Sequence, residues 1–146
     1  MNEIQNFMIG DHRRCDAFFS VAERDVAAQA WDRANDAFVS FRHAMQNHFA
    51  AEEDVLFPAF ELKTGMTMGP TQVMRDEHVQ MNDLMTAAHQ SLLAKDADDY
   101  SGNSETLLIM MQQHNMKEEH VLYPMCDQHL ADQAALLLPQ LERRLL

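Results

Sequence analysis

The sequence predicts an all-α protein: an up-down-up-down four-helix bundle followed by a short C-terminal helical segment. Three observations predict it. Only four Gly and four Pro interrupt a chain rich in Ala, Leu, Met, Gln and Glu, the residues that cost a helix least. Apolar residues recur in alternating steps of three and four, the period of a helix with one buried face. The third is a repeat. "HFAAEEDVLFP" at His48–Pro58 returns as "HNMKEEHVLYP" at His114–Pro124, an offset of 66 residues. The repeat extends backwards, because His12 precedes His48 by 36 residues and His78 precedes His114 by the same interval. Two copies are too few for a solenoid, so two helix-pair halves closing into one bundle is the better reading.

Helix one is expected from near Asp11, or from Glu3, to about Gln29, with Ile4, Met8, His12, Cys15, Phe19, Ala22 and Val26 on its apolar side. Helix two is expected to start at Asp32, a good N-cap residue, and to continue to about Leu62. "KTGMTMGP" breaks the chain, and Pro70 suits the first turn of helix three. That helix carries Met74, His78, Met81, Met85, Ala88 and Leu92 on one stripe and ends near Lys95. Helix four is expected from about Asp98, with "YSGNS" able to delay its start, to about Gln128. The segment "ADQAALLLPQLERRLL" should pack across the bundle, bent at Pro139. Pro58 and Pro124 each remove a helical hydrogen bond and crowd a carbonyl, so a kink or termination is expected at both.

The totals exclude several functions. The chain of 146 residues is read as one domain, 1–146, long enough to bury a proper core. A formal charge of −12 argues against nucleic acid, whose binding depends on Lys and Arg releasing counterions. It also argues against docking on anionic lipid. No apolar run approaches the roughly 18 residues of a membrane span, and "MNEIQNFMIGD" lacks the basic start and apolar run of a signal peptide. Cys15 and Cys126 form no Cys-x-x-Cys pair. A cytoplasmic protein is the expectation; the sequence leaves its oligomeric state open.

The repeated phrase has the spacing of a metal site. Residues four apart in an α-helix are separated by about 40° around the axis and about 6 Å along it. His48 with Glu52, and His114 with Glu118, therefore project side by side. Glu53 and Glu119, one position further, rotate roughly 140° away from those histidines, which suggests supporting, interhelical or solvent-facing roles. His12 and His78 lie on the apolar stripes of helices one and three. One such histidine by itself reads as a satisfied core residue. Four His and two Glu at a fixed offset are different, because buried carboxylates are costly unless a cation neutralises them. Candidate metal ligands are therefore His12, His48, Glu52, His78, His114 and Glu118. Six imidazole and carboxylate ligands are too many for one catalytic zinc and too rich in His for calcium or magnesium. Two ions, each taking two His and sharing two bridging carboxylates, use the set symmetrically, and bundles with inward Glu and His are the known architecture for di-iron and di-manganese centres.

The ordered pattern His12, His48-x3-Glu52, His78, His114-x3-Glu118, with "EEDVLFP" and "EEHVLYP", resembles the hemerythrin-like, HHE cation-binding family over nearly the whole chain. The resemblance implies a four-helix bundle around a non-haem di-iron centre, two iron ions bridged by oxo or hydroxo, with manganese the alternative. Its implied partner is a small oxidant: oxygen, nitric oxide or peroxide. Oxygen-carrying hemerythrins have a fifth histidine four residues after the third-helix one, where this chain has Asn82, and a last carboxylate that would nominate Glu119. Internal symmetry favours Glu118. The pattern looks closer to the iron–sulfur repair branch and the iron-sensing domains, although the N-terminal Cys-pair domain usual in the repair proteins is not expected here. Binding or sensing, enzymatic turnover of the oxidant, and iron donation all remain open, and no catalytic residue is assigned.

Other residues invite weaker readings. His89 and its repeat partner Glu23 are expected near solvent at helix ends, or else along a polar path. His43, His120 and His129 are read as surface residues outside the ligand set. Cys15 reads as a small buried hydrophobe, with a redox-active or nitric-oxide-reactive thiol the alternative. Tyr123 reads as a packed aromatic, or as a hydrogen-bonding group near the site. Met74, Met81 and Met85 read as core filler, with copper binding the alternative.

Overall fold

Helical propensity and the two repeated loops set the layout. The structure, a computed structural model, describes residues 2–146. In order it contains α1 (Glu3–Ala27), α2 (Trp31–Ala51), a π-helical turn (Glu52–Leu56), α3 (Phe57–Thr64), α4 (Pro70–Leu93) and α5 (Ala97–Lys117). A second π-helical turn (Glu118–Leu122), α6 (Tyr123–His129), a 3₁₀ turn (Ala131–Gln133) and α7 (Ala134–Leu145) follow. The bundle's four rods are α1, α2 continued by α3, α4, and α5 continued by α6; α7 lies across α2 and the first π-turn.

The duplication is visible in the loops. Gln29 and Lys95, 66 residues apart, both take φ of 55°. Ala30 N donates to Asp25 O, and Asp96 N donates to Ser91 O. Both loops thus close the preceding helix with a left-handed residue and a backward bond, as helix C-termini commonly do. Gly65, at φ 75°, ends α3 in the same left-handed manner.

Several boundaries differ from expectation. Asp32 is not the cap of α2: the helix starts at Trp31 after Ala30, without a side-chain cap, because the α1 loop already positions the chain. Helix α5 starts at Ala97, a residue ahead of the expected Asp98, and is capped by Asp96, whose carboxylate accepts a bond from Asp99 N at 3.0 Å. "YSGNS" delays nothing, since Tyr100 and Ser104 are buried on the core face of α5. The helix at α7 runs through Pro139. Pro58 and Pro124 terminate neither rod. The ladder instead widens into a π-turn just ahead of each, with Phe57 N and Tyr123 N bonded five residues back to Glu52 O and Glu118 O. Each Pro then sits in the first turn of the resumed helix, the position that suits its fixed φ. Single-turn π-segments within α-helices are frequent at functional sites.

Two apolar clusters fill the bundle. One gathers Phe19, Phe38, Phe41, Met81, Met85, Tyr100 and Met111. The other gathers Met8, Leu56, Phe57, Phe60, Met74, Leu122 and Leu137. His12 falls between Met8 and Cys15, and His78 between Met74 and Met81, so each rod carries its histidine where the two clusters meet. A polar layer sits between two apolar ones. No described helix is long and apolar enough to cross a membrane.

Candidate metal centre

The structure brings all six expected residues together. His12 comes from α1, His48 from α2, His78 from α4 and His114 from α5, and Glu52 and Glu118 open the two π-turns. Both glutamates are 0 % exposed, and the histidines 1–4 %. His12 Nε2 lies 3.0 Å and His114 Nε2 3.3 Å from Glu118 Oε1. His78 Nε2 lies 3.1 Å and His48 Nε2 3.5 Å from Glu52 Oε1. The donors sort into two sets, Glu52, His78, His114 and Glu118 in one and His12, His48 and Glu118 in the other, each with its donor atoms within 4.8 Å of one another. Glu118 belongs to both.

Every imidazole is held from behind. His12 Nδ1 meets Glu119 at 2.7 Å, His48 Nδ1 meets Asp11 at 2.7 Å, His78 Nδ1 meets Glu53 at 2.6 Å and His114 Nδ1 meets Glu77 at 2.8 Å. With Nδ1 held by a carboxylate, each Nε2 faces inward and can offer its lone pair there once the ring is neutral, the arrangement that orients and strengthens metal-binding histidines. The four outer carboxylates obey the repeat: Asp11 answers Glu77, and Glu53 answers Glu119. Of the roles expected for Glu53 and Glu119, the structure places them in the interhelical one, each holding a histidine of the opposite half while its side chain reaches solvent (39 % and 27 % exposed). Asp11 and Glu77 went unassigned in the sequence, although "DH" and "EH" at the 66-residue offset were the signal.

The buried imidazoles and carboxylates stabilise one another's charged forms. Burial opposes protonation of His48, yet Glu52 and Asp11 outweigh it and hold its pKa well above the ordinary imidazole value. His78 is pushed up to about 9 against burial by Glu52 and Glu53, and His114 is raised against burial by Glu118. Burial would raise the carboxyl of Glu52, but His48 and its other neighbours hold it well below the usual range. Glu52 Oε1, His78 Nε2, His114 Nε2 and Glu118 Oε2 are nevertheless buried without a hydrogen-bond partner. An unpaired buried polar atom costs about 1–3 kcal/mol. These four atoms belong to the first donor set, and imidazole with carboxylate around one space fits a first-row metal ion; the His12, His48 and Glu118 set offers a place for another.

Tyr123 is the residue the sequence understated. Its ring is fully buried, and its hydroxyl lies 2.7 Å from Glu52 Oε2 and 2.9 Å from Glu118 Oε1. Cys15 is buried in the apolar cluster, and burial pushes its thiol up to about 11, so it stays a protonated hydrophobe at neutral pH. His89 lies half-buried near the C-terminal end of α4, where it stacks on Phe38 at 5.2 Å and donates from Nε2 to Asn35 Oδ1 at 2.9 Å. His129 is half-buried against the edge of Phe60, while His43 and His120 are exposed. Met74, Met81 and Met85 are buried core.

Two surface grooves of about 570 and 480 Å³ flank the centre, and they too are related by the repeat. Glu119, Asp16 and Leu108 line the first; their equivalents Glu53, Asn82 and Arg42 line the second. Each groove is therefore lined by a carboxylate that holds one of the four buried histidines. Asn82 Oδ1 is buried and unpartnered, one helical turn beyond His78.

A four-helix bundle with paired His-x3-Glu motifs turned inward and carboxylate-backed histidines defines a cation-binding class of protein. The family model for the hemerythrin HHE cation-binding domain matches residues 3–126, and the chain belongs to that family. No curated protein and no solved structure matches it.

Proposed function

We propose that this chain is a non-haem di-iron protein that binds, senses or reacts with a small oxidant: oxygen, nitric oxide or peroxide. His12, His48, His78 and His114 are the terminal ligands, and Glu52 and Glu118 bridge. One observation carries the reading: four Nε2 atoms and the unpartnered oxygens of two buried glutamates face one space, with every imidazole fixed from behind by a carboxylate. When bound, iron supplies a Lewis acid and a ferrous–ferric couple. The chain does the rest. Glu119, Asp11, Glu53 and Glu77 accept from Nδ1–H and keep the Nε2 lone pairs inward. The two apolar clusters keep bulk water from the donors. Asn82 supports small-ligand binding beside His78, because its buried oxygen has no other partner. Manganese is the alternative metal.

Optical and Mössbauer spectra of the reduced, iron-loaded protein, taken before and after oxygen and nitric oxide, test this reading. A distinct adduct with either gas supports it. Fewer than one metal per chain after anaerobic ferrous loading ends it. The second reading is iron donation to damaged clusters or another iron-handling role. It is favoured by the acidic first groove, where Asp16, Glu23 and Glu119 line a path to His12. Iron transfer to an apo-acceptor faster than from free iron would select it, and catalytic consumption of peroxide or nitric oxide would select an enzyme.

A further inference from the structure

The repeat is broken at the centre by a single oxygen. Phe57 and Tyr123 are equivalents at the 66-residue offset, and both are fully buried. Phe57 stacks over His78 with ring centroids 6.0 Å apart, and Tyr123 lies over His12 at 5.6 Å. Only Tyr123 reaches into the donor space. Besides the two glutamate oxygens, its hydroxyl lies 3.2 Å from His12 Nε2 and 3.2 Å from His48 Nε2.

This crowding is chemically informative. The Nδ1 atoms of both histidines are committed to Asp11 and Glu119, so their Nε2 atoms and two carboxylate oxygens converge on the one phenolic oxygen. A single O–H can donate to only one of them. A cation among these atoms converts the same contacts into ligation. The two donor sets are also unequal, with four residues around His78 and His114 but three around His12 and His48. Glu52 enters the smaller set only as a bridge, and the Tyr123 hydroxyl stands 3.2 Å from each of that set's histidines.

Resting on the di-metal reading, we infer that Tyr123 is a seventh protein ligand, a phenolate to the ion at His12 and His48. As ferric iron is bound, the Tyr123 O–H bond breaks, an Fe–O bond forms, the proton leaves to buffer and no electron moves. The ion at His78 and His114 has Phe57 in the equivalent place. The repeat therefore yields two unlike ion positions, one with a phenolate and one without.

Ferric phenolate absorbs visible light by charge transfer, and excitation in that band enhances tyrosine ring vibrations that imidazole and carboxylate ligands lack. The test is resonance Raman spectroscopy of the full chain, loaded anaerobically with ferrous iron and oxidised, with iron content measured on the same sample. Tyrosine modes should appear in wild type and shift when the protein is made with ring-deuterated tyrosine. The chain has two tyrosines. The modes should survive Tyr100→Phe, whose ring packs against Phe38, and vanish in Tyr123→Phe. The labelled wild type keeps the test independent of how any variant folds. Iron-loaded wild type without tyrosine modes, or modes that persist in Tyr123→Phe, overturns the ligation alone. A chain that takes up no iron overturns it together with the di-metal reading.

Discussion

His12 and Glu119 are 107 positions apart in the chain and 2.7 Å apart in space, and their equivalents His78 and Glu53 repeat the contact at 2.6 Å. Each half of the molecule thus orients a histidine of the other, so neither half completes its ligands without its partner. The outer and inner glutamates of each "EE" pair should separate in experiment. Glu119→Gln keeps a bond acceptor but loses the charge, and should retain the metal with about 10–100-fold weaker affinity. Glu118→Ala removes the residue shared by both donor sets and should abolish loading. Competition with a graded series of chelators measures both.

Metal removal should lower stability. A ligand that binds the folded chain alone, at about 100 times its Kd, adds about 2.7 kcal/mol. For a chain of this size that corresponds to roughly 5–10 °C in Tm. Calorimetry of apo and ferrous-loaded protein under anaerobic conditions should show that rise. Equal Tm values in the presence of bound iron would contradict a preformed site.

Acid stability should depend on Glu61. Arg75 forms a two-pronged ion pair with it, and Thr71 donates a further bond at 2.6 Å. The Arg75 bond, aided by Thr71, holds the Glu61 carboxyl below its ordinary value. A carboxylate with a lowered folded-state pKa adds stability that is present above its unfolded pKa of about 4.3 and is lost as pH falls through the folded value. Glu61→Gln should therefore destabilise by about 1 kcal/mol at pH 7 and by progressively less below about pH 4.3. Urea titrations of both chains across that range report the difference.

The start of α1 depends on the far end of the chain. Asp127, in α6, accepts from Ile4 N at 2.9 Å and Gln5 N at 3.0 Å, and it is buried. It performs the work of an N-cap from 123 positions away. Asp127→Ala should cost about 1–2 kcal/mol and raise amide exchange in the first turn of α1 while leaving α4 unchanged. Hydrogen exchange resolved by residue measures it.

The inner site was legible because metal chemistry confines ligands to a few residue types, and helical geometry confines their spacing to steps such as His-x3-Glu. The 66-residue offset removed the remaining ambiguity for His12 and His78, which singly resemble core histidines. The outer carboxylates were harder. Asp11 and Glu77 act on histidines of neighbouring rods, and such contacts depend on how helices are rotated against each other, which periodicity within one helix does not encode. The wide turns at Glu52 and Glu118 were hidden for another reason: Pro58 and Pro124 signal a defect in the ladder without specifying its kind. Asp32 misled because a good capping residue near a loop need not be the one used, and Asp127 shows a cap supplied from outside the local sequence.

The two π-turns also bear on how this chain tolerates changes in length. Each turn spends one residue more than an α-turn would between the ion-binding end of its rod and the aromatic end. Deleting a residue from Glu53–Leu56 or Glu119–Leu122 would allow the ladder to close as ordinary helix. Everything beyond would then swing by about 100°, taking Phe57 off His78 in one copy or the Tyr123 oxygen away from its neighbours in the other. Indels in these two segments should therefore be far more damaging than in "KTGMTMGP", where the chain between rods can absorb them.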